Sequence, residues 1–253
     1  MTSVSSVALW PKRGWTPDGR HIVYTSHVFS SPEDEESGRA LSWKPADGSR
    51  EAVQLTPDDA PGQLAPDSFS PDGSVLTFFS NSAGTGFDLG FLRLDGIDPY
   101  AGERPEAEFL LQTRYAEGWA RFSPDGRWIA YMSDESGRYE VYVRPFPGPG
   151  PSVQISTGLG EALWHPSAPI LFYRTGTRFY AVDYRLTPEF EAGRARFLFA
   201  GPFVNGPGYD LDISPDGGRF LTLYNPQRLE PNPTLTVITN FFDELRRRVP
   251  AGK

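Results

Sequence analysis

Five times along the chain a large apolar residue precedes a Ser/Thr/His-Pro pair, and a run of alternating residues follows. Such a repeat constrains the fold more than composition does, because each unit must bury its apolar face on a neighbouring copy. The first copy is Trp15-Thr-Pro-Asp-Gly-Arg-His-Ile-Val-Tyr-Thr-Ser26. The second is Phe69-Ser-Pro-Asp-Gly-Ser-Val-Leu-Thr-Phe-Phe-Ser80. The third is Phe122-Ser-Pro-Asp-Gly-Arg-Trp-Ile-Ala-Tyr-Met-Ser133. A weaker fourth is Trp164-His-Pro-Ser-Ala-Pro-Ile-Leu-Phe-Tyr-Arg-Thr175, and the last is Ile213-Ser-Pro-Asp-Gly-Gly-Arg-Phe-Leu-Thr-Leu-Tyr224. Successive prolines are 54, 53, 42 and 49 residues apart, close to the length of one propeller blade.

Each turn residue has a chemical reason. Pro17, Pro71, Pro124 and Pro215 fix φ at the first turn position. Asp18, Asp72, Asp125 and Asp216 can accept nearby backbone N–H groups. Gly19, Gly73, Gly126 and Gly217 supply a positive φ. After the turn, Ile22/Tyr24, Leu76/Phe78, Ile129/Tyr131 and Leu171/Tyr173 alternate with smaller or polar residues, the period of a strand with one buried face. Before the turn, the column Trp15, Phe69, Phe122, Trp164 and Ile213 is read as packing between blades. Repeat three continues into strands over 139–146 and 153–156, making four antiparallel strands per unit.

The expected fold is therefore an all-β propeller of four-stranded antiparallel blades with five repeats visible, the alternative being an incomplete six-bladed ring. A single domain over 1–253 is expected, with blades near 10–56, 65–112, 117–157, 160–200 and 207–240. Residues 3–9 are expected to close the last blade beside 234–239. Asn240 is expected to cap a short C-terminal helix over 241–248. The acidic segment 31–37 and the Pro/Gly-rich segment 95–106 read as solvated loops.

The Pro-Asp-Gly repeat resembles the PD40, or TolB-like, repeat family. The stretch Phe122–Gly150 and the ending Val237–Pro250 carry the likeness. They resemble C-terminal propellers of bacterial serine/threonine kinases and transcriptional regulators. The resemblance implies a propeller, usually of six blades, serving as a sensing or protein-binding platform. This chain shows five repeats, the fourth without Asp-Gly, and has no Gly-rich loop, His-Arg-Asp or Asp-Phe-Gly segment, so kinase activity is not carried over.

The net charge of −8 disfavours nucleic acid as a partner. The chain has no cysteine, so it offers no disulfide, thiolate metal site or Cys nucleophile. It shows no signal peptide and no apolar run long enough to span a bilayer. It reads as cytoplasmic as written, and as extracytoplasmic if cut from a larger relative. A monomer without cofactors is expected.

No Gly-x-Ser-x-Gly elbow occurs, and His21, His27 and His165 form no zinc spacing. The repeated aspartates are explained by turn chemistry. A binding site is expected at the channel mouth opposite the turns, where counting back gives Arg13, Asp67, Trp119, Arg121, Glu161, Tyr209, Asp210 and Asp212. The leading function is a non-catalytic protein- or peptide-binding module. One rival is a metal-dependent, lactonase-like hydrolase using Asp67, Glu161, Asp210 and Asp212. The other is a remnant of a larger kinase- or regulator-linked protein.

Overall fold

The structure, a computed structural model, describes residues 13–27, 39–56, 60, 62–82, 86–158, 160–186, 189–203, 211–224 and 234–238. Its strands form five antiparallel sheets, each built from consecutive segments of chain. Sheet one joins β1 (Arg13–Trp15), β2 (His21–His27), β3 (Arg39–Pro45) and β4 (Val53–Gln54). Sheet two joins β5 (Gln63–Phe69), β6 (Val75–Ser82), β7 (Gly86–Arg93) and β8 (Ala107–Leu111). Sheet three joins β9 (Glu117–Phe122), β10 (Trp128–Ser133), β11 (Glu140–Pro145) and β12 (Val153–Gln154). Sheet four runs β13 (Gly160–Trp164), β14 (Ile170–Thr175) and β15 (Arg178–Arg185), with β16 (Glu191–Ala192) and β17 (Arg196–Ala200) both paired to β15. Sheet five shows β18 (Leu211–Ile213), β19 (Phe220–Tyr224) and β20 (Thr234–Ile238). This is a β-propeller. The expected strand 3–9, the helix 241–248, the acidic segment 31–37, Tyr209 and Asp210 lie outside the described residues.

The repeat is visible as pairing. Trp15 faces Ile22, Phe69 faces Leu76, Phe122 faces Ile129, Trp164 faces Leu171 and Ile213 faces Phe220, always across the turn hairpin. The turns share one bonding scheme. The Ser or Thr hydroxyl donates to the Asp carboxylate two residues on: Thr16 to Asp18 at 2.6 Å, Ser70 to Asp72 at 2.5 Å, Ser123 to Asp125 at 2.6 Å. The same hydroxyl accepts the amide five residues on, for example Val75 N–H at 2.9 Å and Trp128 N–H at 3.0 Å. The carboxylate also accepts the amide two residues beyond itself, Arg20 for Asp18 and Ser74 for Asp72. These bonds, the hydroxyl's first, hold Asp18, Asp72 and Asp216 below the usual carboxylate range. Such carboxylates are fixed as acceptors within their own turns.

In repeat four the imidazole of His165 is the turn's side-chain acceptor, and it takes amides other than those bonded in the Pro-Asp-Gly turns. Its Nδ1 accepts Ser167 N–H at 3.1 Å and Ala168 N–H at 2.9 Å. That assigns the proton to Nε2. Burial holds the imidazole pKa below its usual value, so the neutral acceptor form is favoured.

Four apolar clusters each join consecutive sheets. Val23 and Leu41 meet Leu64 and Phe78 between sheets one and two. Leu89 and Phe91 meet Phe122 and Tyr131 between two and three. Ala130 and Val143 meet Trp164 and Tyr184 between three and four. Phe172 and Phe179 meet Leu211 and Phe220 between four and five. Among the described residues none of these clusters joins sheet five to sheet one.

The Pro/Gly-rich segment differs from the loop expected of it. It forms a short 3-10 turn, Pro99–Ala101, whose start is capped by the Asp98 carboxylate accepting Tyr100 N–H. Tyr100 then donates its hydroxyl to Glu51 O at 3.1 Å, with the Arg50 guanidinium 4.4 Å over its ring. An aromatic with a polar tip thus straps the segment onto sheet one.

Candidate functional site

The innermost strands β1, β5, β9, β13 and β18 surround a cavity of about 760 Å³. Its rim carries Pro17, Pro71, Pro124 and Pro166, so the repeated turns gather at one end of it. Gly73 packs its α-carbon side within 3.5 Å of Pro17, and Gly126 within 3.3 Å of Pro71, measured to where a Cβ would stand. The second and third turns therefore lean on the turns before them. The cavity lies toward the turn end, whereas the sequence placed the site at the opposite mouth.

Three of the expected residues line this cavity: Asp67, Arg121 and Asp212. Asp67 is buried and accepts Ala120 N–H through Oδ2 at 3.0 Å. Beside it Ser68 accepts Phe122 N–H at 3.2 Å. Together they pin β5 to β9. Arg121 reaches the other way, to Glu161 Oε1 at 3.6 Å and Leu211 O at 3.4 Å. Glu161 lies behind the lining, with Arg174 at 4.0 Å on its second oxygen. Glu161 is thus a buried acid set between two guanidiniums. Asp212 is exposed, and its Oδ1 accepts the amide of Ile213.

Trp119 is placed elsewhere. In β9 the register slips between Ala130 and Met132, a β-bulge, and Trp119 takes a left-handed backbone at φ 56°. Its ring stacks on Phe79 at 5.3 Å and meets Phe87 and Tyr139 edge-on. It belongs to packing between sheets two and three, and it is not among the cavity lining. Arg13 lies in β1, and its side chain lies outside the description. Among the described residues no group of three or more His, Cys, Asp or Glu comes together to hold a metal. No helix among them is long and apolar enough to cross a membrane.

Residues the channel count passed over supply the apolar lining. Trp15 is 56% exposed, and Leu221 and Leu223 of β19 are 40% and 36% exposed. All three line the cavity. The repeat alignment carried no signal for them, since every aligned partner of Leu221 is buried: Val23, Thr77, Ala130 and Phe172.

No family model matches the chain, and no curated protein matches it in sequence. Solved structures do resemble it. A putative TolB from Agrobacterium tumefaciens is 17% identical, with a TM-score of 0.56 over 75% of this chain and 65% of that one. TolB from Acinetobacter baumannii is 18% identical, with a TM-score of 0.61 over 91% of this chain and 51% of its own. A puromycin hydrolase is 18% identical, with a TM-score of 0.60 over 84% of this chain and 33% of its own. The fold is a TolB-like β-propeller, and the chain spans between a third and two thirds of these proteins.

Proposed function

We propose that the chain is a non-catalytic module that binds a protein or peptide in the cavity at the turn end of the propeller axis. The observation that carries this reading is the cavity itself. It has the size of a ligand pocket, about 300–1,000 Å³ in general, and it combines exposed apolar side chains with a few polar groups. Exposed large apolar residues gathered at one concave place mark contact sites rather than random surface. Two of the four acids that a hydrolase would draw on are otherwise engaged. Asp67 holds a backbone amide and Glu161 sits between two arginines.

Panning a random heptapeptide library against the purified protein tests this reading. A consensus sequence that competes for one saturable site is the expected result. The reading falls if no consensus emerges. It falls too if the protein turns over ester, lactone or peptide substrates and Asp212→Asn or Glu161→Gln abolishes that turnover.

A further inference from the structure

In every seam joining consecutive sheets, one repeat position receives the next sheet. Val23, Thr77, Ala130 and Phe172 occupy it in the first four repeats and are at most 1% exposed. The pre-turn residue of the following repeat belongs to the same contact, as Trp164 does with Ala130. Among these pre-turn residues Phe122 and Trp164 are buried, and Phe69 and Ile213 are half-buried. In repeat five the receiving position is Leu221, and in repeat one the pre-turn residue is Trp15. Both are exposed and both line the same cavity. Among the described residues, the seam from sheet five to sheet one thus presents two apolar surfaces whose counterparts in the other repeats are covered by sheet.

We propose that this seam is a docking slot for a short extended segment of a partner protein, apolar on both of its faces and flanked by basic residues. The proposal rests on the peptide-binding reading above and specifies the occupant. Three observations select it. The cavity of about 760 Å³ suits a pocket-sized segment rather than a further whole blade of roughly 40–50 residues. Two apolar surfaces call for apolar side chains on both faces, and successive residues of an extended strand point to opposite faces. Asp212 leaves an exposed carboxylate at the slot, while the Arg121 guanidinium is directed onto Glu161 and Leu211 O. The net charge of −8 adds an attractive field for a cationic flank.

Three fluorescein-labelled peptides test this by anisotropy on the whole chain. The first is Lys-Lys-Leu-Phe-Val-Tyr-Lys-Lys. The second replaces Phe and Tyr by Ser, leaving one apolar face. The third replaces every Lys by Glu. The first is expected to bind at least tenfold more tightly than either of the others. Leu221→Arg and Trp15→Ala should each weaken it at least tenfold, and thermal melts should show both variants folded. Equal binding of the first two peptides would overturn the proposal. So would unchanged affinity in both variants. Binding that appears only after residues 1–12 are removed would assign the slot to the chain's own N-terminus. A dimer broken by Leu221→Arg would assign it to a second copy, and either result overturns the proposal. A library consensus indifferent to Leu221→Arg sinks this slot but leaves peptide binding standing, whereas absence of any consensus removes both.

Discussion

The seam between sheets three and four and the seam between sheets five and one use the same repeat positions in opposite surroundings. In the first, Ala130 is fully buried in a cluster with Trp164. The indole N–H donates to Arg121 O at 2.9 Å, and Tyr184 and Phe190 meet the ring edge-on. In the second, Leu221 and Trp15 stand exposed on one cavity. A repeat position therefore codes for half a contact, and its contribution is realised only where another sheet arrives. That is the expected behaviour of repeat architectures, whose stability resides largely in interfaces between units.

The largest effect that could break this comparison is Trp164→Ala set against Trp15→Ala. Removing the buried indole should cost about 3–5 kcal/mol and leave the Arg121 carbonyl without this donor. Removing the exposed one should cost less than about 1 kcal/mol. Denaturant melts of the two variants measure the difference. Similar losses would mean that both seams are filled.

A second contrast lies between the same turn in the first and the fifth repeat. Gly19 and Gly217 have φ of 69° and 71°. A Cβ on Gly19 would meet nothing within 4 Å, but on Gly217 it would stand 2.3 Å from His165 Nε2. Gly19→Ala should cost about 1–2 kcal/mol from backbone conformation alone. Gly217→Ala should cost roughly 2 kcal/mol more from the clash. Adding His165→Ser should recover part of that excess. No recovery in urea melts would place the cost elsewhere than at the imidazole.

The seam between sheets two and three is closed around a charge. Glu117 is buried, accepts a bond from the Thr113 hydroxyl, and has no hydrogen-bond partner on Oε2. Burial first, with the nearby Asp88 charge adding to it, pushes its pKa up to about 7. A carboxyl raised on folding gives stability that is complete below its unfolded pKa of about 4.5 and is lost as pH rises through about 7. Glu117→Gln should therefore stabilise the protein at pH 8 by about 1–3 kcal/mol and change little at pH 4. Melting curves at the two pH values decide it, and an equal effect at both would contradict the buried, titrating carboxyl.

The smallest expected effect is Leu221→Ala, within about 0.5 kcal/mol of wild type. Its repeat partner Phe172, 1% exposed, should cost about 3–5 kcal/mol when cut to Ala. A Leu221 cost near that of Phe172 would mean that the chain already fills its own slot.

The sequence by itself determined the turns and the strands they join. Every bond in a Pro-Asp-Gly turn falls within about five residues, such as Ser123 to Asp125 and Trp128 N–H to Ser123. Interactions so local are legible from residue type and spacing. The loss of Asp-Gly in repeat four was legible too, but not that one imidazole nitrogen would accept two amides there. The channel residues were harder to place. Counting back from the turn assumes an unbroken strand, and the bulge in β9 turns Trp119 out of that register and onto Phe79. Asp67 reads as an available acid until Ala120, 53 residues on, is brought against it. Only the tertiary structure decided that Leu221 is exposed while Ala130 is buried, because burial depends on which sheet arrives. Five similar repeats carry the same apolar alternation, and nothing within one repeat records whether the next seat around the axis is filled.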